Sequence, residues 1–142
     1  LTNFLLVKKA LDSESGKKIK MYKNSNPNHV SESILPSHFS VKESESYHAK
    51  TICLQDMFNK YDDVSLIKMD IEGSEYDVLN NLKDIPNSVK QMCIEFHHFC
   101  TNYHISDTHN IINLLNKLGF KKYYKNNVNS PHPLAELTFV RD

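Results

Sequence analysis

At 142 residues the chain is about one domain long and can bury a single core. Its 17 basic and 17 acidic side chains cancel, which removes the broad electrostatic case for nucleic acid or an anionic membrane as partner. No apolar run approaches the roughly 20 residues that span a bilayer, and three cysteines without C-x-x-C spacing read as reduced thiols of a cytoplasmic protein.

Residues 4–7 (Phe-Leu-Leu-Val) form a short continuous apolar run, the pattern of a strand buried on both faces. Residues 12–16 read as a turn ending in Gly16, and residues 18–22 alternate as a half-exposed strand does. Residues 23–46 are polar and rich in Asn, Ser, Pro and His, the composition of a long loop or a lid that orders on a ligand. Leu54, Met57, Phe58 and Tyr61 recur at i, i+3, i+4, i+7, so an amphipathic helix is predicted over 54–61.

Residues 64–71 (Val-Ser-Leu-Ile-Lys-Met-Asp-Ile) make the best strand of the sequence. Gly73 turns the chain, and Ser74-Glu75-Tyr76-Asp77 reads as a capping box opening a helix with Tyr76, Leu79 and Leu82 inward. Residues 89–96 are a second buried strand. Ser106 or Asp107 caps a further helix whose face is Ile111, Leu114, Leu115 and Leu118, closed by Gly119. Residues 120–124 and 135–140 are two final strands, joined by a polar loop holding Pro131 and Pro133. Alternating strands and helices without a repeat or a domain boundary mean one α/β layer fold with a mostly parallel sheet.

In an open α/β sheet, ligands bind outside the carboxyl ends of the strands. One strand here ends Lys68-Met69-Asp70-Ile71-Glu72-Gly73, and the next ends Cys93-Ile94-Glu95-Phe96-His97-His98. If the two are parallel neighbours, Asp70, Glu72, Glu95 and His97 meet at one rim, each pair on one side of its strand by period-two geometry. A carboxylate beside an imidazole can deprotonate a hydroxyl, or hold a divalent cation that acidifies it. A single acid at a strand end is more often just the start of a loop; four such groups together favour function. His98, Cys100, His104 and His109 match no zinc-finger spacing, and His29, His38, His48 and His132 sit in polar loops.

Residues 65–79 (SLIKMDIEGSEYDVL) resemble the FkbM-type methyltransferase family, which carries a strand reading K-x-D-x-E-G-x-E followed by a helix with V-L. In register with it, residues 53–58 (CLQDMF) resemble the family's T-L-D-D-L-L helix start. Glu95-Phe96-His97 resembles its E-x-H strand end, and Ala10-Leu11 with the turn to Gly16 resembles its opening strand and turn. The resemblance runs over most of the chain and is weakest from 23 to 47.

This resemblance implies a Rossmann-like sheet, mostly parallel with an antiparallel C-terminal strand, and S-adenosylmethionine as methyl donor. It implies transfer to a hydroxyl oxygen of a small acceptor, sugar-like or polyketide-like. Asp70 and Glu95 take the roles of base or metal ligand, Glu72 and His97 those of groups that orient the acceptor. A divalent cation would sit on Asp70, Glu95 and His97. Two departures matter. Cys53 stands where the family has a threonine cap. The family's first strand and glycine-rich donor loop have no counterpart, and residues 4–7 correspond to its third strand. Residues 1–142 are therefore expected to be a partial domain, truncated at the N-terminus and inactive alone. A non-catalytic relative that binds a ligand or a protein stays open as the second reading, and an unrelated α/β hydrolase or nucleotide-binding domain as a third. The acceptor's identity and the oligomeric state are not readable from these residues.

Overall fold

The computed structural model describes residues 4–38, 40–98, 102–124 and 135–142. Pro131, His132, Pro133 and Cys100 lie outside the described residues. Among the described residues, two four-stranded sheets account for the strands. The first holds β1 (Ala10–Leu11), β2 (Lys18–Asn24), β3 (Glu32–Ser33) and β4 (Val41–Ile52), in the order β1-β4-β2-β3. After α1 (Leu54–Lys60), the second holds β5 (Leu66–Met69), β6 (Gln91–Phe96), β7 (Lys121–Tyr124) and β8 (Ala135–Val140), in the order β5-β6-β8-β7. Between them come α2 (Glu75–Asn80) and α3 (Ile105–Lys117).

The mixed α/β class agrees with the sequence, but a mostly parallel sheet does not. Only β1–β4 and β5–β6 pair in parallel; the other four pairings among the described residues are antiparallel. A parallel pair needs a long crossover connection, which β2 and β3 supply between β1 and β4 and which elsewhere is usually a helix. Such a helix, α2, separates β5 from β6. At the other end the β7–β8 pair is antiparallel, and β8 inserts between β6 and β7.

Residues 23–46 are not one long loop. The two ends of the stretch belong to the antiparallel ribbon of β2 and β4, and β3 lies on the ribbon's edge. Most β4 side chains face solvent, so no apolar alternation marks the strand; its backbone bonds to β2 hold it instead. Gly16, with φ +83°, makes the turn into β2, and its N–H donates to the Thr51 carbonyl.

Residues 4–7 are not a buried strand. Phe4, Leu5 and Leu6 are 88, 67 and 66 % exposed, because β1 pairs with β4 only at Ala10 and Leu11 and the chain before it leaves the sheet. Nor is β6 buried on both faces. Met92, Ile94 and Phe96 face the core, and Gln91, Cys93 and Glu95 are half-buried on the other side.

That core is built from one face of the second sheet and the helices against it. Met69, Ile94, Phe96, Leu137 and Phe139 pack with Tyr76 and Leu79 of α2, Ile111 and Leu115 of α3, and Leu54 and Phe58 of α1. Each such side chain contributes about 1.5–3 kcal/mol on leaving water. The helix assignments hold with different caps. Ser74 makes no side-chain cap bond to α2, and α3 starts after His104, whose N–H donates to Asp107 at 2.7 Å. Gly119, φ +89°, ends α3 as expected.

Candidate functional site

Parallel pairing of β5 with β6 ends at Met69 opposite Ile94, so the next residues, Asp70 and Glu95, emerge side by side at the carboxyl rim. The chain then bends sharply. Glu72 has φ +54°, a left-handed conformation that costs a non-glycine residue roughly 1–2 kcal/mol, and Gly73 follows at φ +105°. This bend brings Glu72 back over the strand end, and α2 starts two residues later with Glu75 inside the protein.

Glu75 is fully buried, and its Oε1 accepts three N–H groups. They are the Ile71 backbone at 3.1 Å, the Gly73 backbone at 3.2 Å and His97 Nδ1 at 2.9 Å. A carboxylate only accepts, so Nδ1 carries the hydrogen, and Nε2 faces outward, with a free lone pair once the ring is neutral. Nε2 lies 3.4 Å from Glu72 Oε2 and 3.7 Å from Asp70 Oδ1. Ligand atoms of Asp70, Glu72 and His97 fall within 4.8 Å of one another. Two carboxylates and an imidazole, the imidazole backed by a buried carboxylate, are a donor set that fits a divalent cation.

The electrostatics follow from these contacts. A hydrogen bond from His38 holds the Glu72 carboxyl below its ordinary pKa against the opposing effect of burial. Burial and the neighbouring charge of Asp70 push the Glu95 carboxyl up. Burial disfavours a charged His97, yet the hydrogen bond and charge of Glu75, with Glu72 and Glu95, outweigh it and raise its pKa. His98 behaves differently: burial and the charges of His109 and His97 lower its pKa, and its Nδ1 lies 3.1 Å from the Thr108 hydroxyl in the core.

All four residues expected at the rim, Asp70, Glu72, Glu95 and His97, line one cleft of about 460 Å³. Glu95 stands outside the tight group of ligand atoms, and Glu72 takes the place that the sequence reading gives it. A second cleft of about 930 Å³, with Met21, Val30 and Ile34 in its wall, shares Ser31, Asp70 and Glu72 with the first. Sequence reasoning misses three residues. Glu75 reads as part of a helix cap, although its place as the last acid of the K-x-D-x-E-G-x-E pattern is a signal. Ser33 and His38 carry none, because only folding of the β2–β4 stretch brings them to Glu72.

A mixed α/β domain with acids and an imidazole gathered at the carboxyl ends of adjacent parallel strands is the layout of an α/β enzyme. Residues 6–122 match the family model described as the methyltransferase FkbM domain, and the chain belongs to that family. Comparisons with curated proteins and with solved structures give no match. No helix among the described residues is long and apolar enough to cross a membrane.

Proposed function

We propose that this chain forms the acceptor side of an O-methyltransferase acting on a polyhydroxylated, sugar-like small molecule, with a divalent cation at Asp70, Glu72 and His97. The observation that carries the reading is the convergence of two carboxylates and a Glu75-oriented imidazole at one strand end, in a chain of a methyltransferase family. S-adenosylmethionine, the family's expected donor, supplies an electrophilic methyl group whose transfer leaves a neutral thioether. What the protein must do is align the acceptor hydroxyl and take its proton.

Glu95 suits the proton. Its raised pKa makes it a better base than an ordinary carboxylate, and it stands beside Asp70 without sharing the tight ligand group. A cation on Asp70, Glu72 and His97 would lower the pKa of a bound hydroxyl. Asn24, Asn26, Ser31 and Ser40 in the same cleft offer donors and acceptors to further hydroxyls. The test is methyl transfer from S-adenosylmethionine to glycoside acceptors in an active preparation that contains this chain together with a donor-binding part. EDTA should abolish it and added Mn²⁺ or Mg²⁺ restore it; full activity in EDTA overturns the cation role.

Calorimetry of residues 1–142 with S-adenosylmethionine tests the acceptor-side reading: the donor should not bind appreciably, and saturable binding overturns it.

A further inference from the structure

Glu72 is gripped twice by the stretch between β2 and β4. Ser33, buried in β3, donates its hydroxyl to the Glu72 carbonyl at 2.7 Å. His38, 3 % exposed, places Nε2 3.2 Å from Glu72 Oε2. The other ring nitrogen of His38 faces Ser40, whose backbone N–H lies at 3.4 Å and hydroxyl at 2.8 Å. A backbone N–H can only donate, so Nδ1 is an acceptor and the neutral ring carries its hydrogen on Nε2, the nitrogen that lies against Glu72.

Glu72 needs such a grip. Among the described non-glycine residues it alone has positive φ, and nothing in its own side chain favours that conformation. Its Oε2 lies between two imidazoles, His38 at 3.2 Å and His97 at 3.4 Å, whose ring centroids are 6.0 Å apart. From this geometry we propose that His38 is a positioning residue. With Ser33 fixing the backbone and His38 the carboxylate, Glu72 is held with Oε2 turned toward His97 and Asp70, where a divalent cation would take it as ligand. The inference rests on the reading of Asp70, Glu72 and His97 as a cation site. It assigns a role to a histidine that lines the same cleft as Asp70 and Glu95.

Mn²⁺ titration of the chain, followed by the electron paramagnetic resonance of free Mn²⁺, tests it. His38→Ala should weaken binding about 10-fold or more, the scale for losing a group that orients a ligand. His38→Gln, whose amide N–H can replace the ring N–H, should recover most of that loss. In a Glu72→Gln background, His38→Ala should cause no further loss, because the residue it positions is no longer a carboxylate. Should His38→Ala not fold, His38→Met fills the ring's volume without a donor and carries the same comparison. Wild-type binding with His38→Ala or His38→Met unimpaired, or with His38→Gln as weak as His38→Met, overturns the positioning role and leaves the cation site standing. A wild-type chain that binds no Mn²⁺ removes the cation site and this role with it.

Discussion

Glu75 Oε1 and His97 Nδ1 lie 2.9 Å apart, both out of solvent, and the same oxygen holds the backbone of the Asp70–Gly73 bend. Glu75 therefore ties three things together: the direction of the His97 ring, the turn that returns Glu72, and the start of α2. Glu75→Ala leaves a buried imidazole and two backbone N–H groups without an acceptor. It should destabilise the fold by about 3 kcal/mol or more, the scale for breaking a buried pair from one side. Glu75→Gln keeps an acceptor oxygen and should lose clearly less. Urea denaturation measures both; equal losses would mean that the carboxylate only fills space.

The His97 cluster sets a pH dependence with opposite edges. His97 titrates above its ordinary 6.5 in the fold, so its stabilising contribution is complete below pH 6.5 and is lost as pH rises through the folded value. Glu72 titrates below its ordinary 4.5, so its contribution is present above pH 4.5 and is lost as pH falls through the folded value. In EDTA the urea midpoint should therefore decline as pH rises above about 6.5. Cation affinity should change the other way, rising with pH, because a cation must displace the His97 proton. A midpoint that climbs as the solution is made more alkaline contradicts the assignment.

Asp70 is the most exposed member of the cluster, its side chain 41 % accessible, and its substitution should spare the fold. In an active preparation, Asp70→Asn keeps the shape, removes a ligand charge and should cut methyl transfer about 10²-fold or more. Asp63→Asn, on an exposed turn, is the control. Asp77 would be a poor one, since burial and a hydrogen bond to Asp77 together raise the Tyr103 pKa. Wild-type transfer by Asp70→Asn, or a large drop in its melting temperature, makes Asp70 structural.

Phe4, Leu5 and Leu6 present an uncovered apolar run beside β1. Patches of this kind drive self-association. The isolated chain should elute as mixed oligomers in size-exclusion chromatography. A Phe4→Ser, Leu5→Ser, Leu6→Ser variant should elute as one species with its melting temperature almost unchanged, since these side chains bury little. A monodisperse parent chain would show that the run is harmless.

Elements that carry their own periodic signal were legible from residue order. Helix spacing at Leu54, Phe58, Ile111 and Leu115 and the apolar strands before Asp70 and Glu95 all lie where expected, because those side chains face a core. The meeting of Asp70, Glu72, Glu95 and His97 at one rim was legible too, since parallel neighbouring strands put their ends together regardless of the rest of the fold. Other features arise only when distant parts of the chain come together. The β4 strand is invisible in a pattern of polar side chains, because its stability comes from backbone bonds to β2 rather than from a buried face. Likewise Ser33 and His38 lie 39 and 34 positions from Glu72, and no local spacing links them; the folded ribbon carries them to it. Burial of residues 4–7 failed for the same reason: an apolar run states what must be covered, while the cover has to be supplied by another part of a fold.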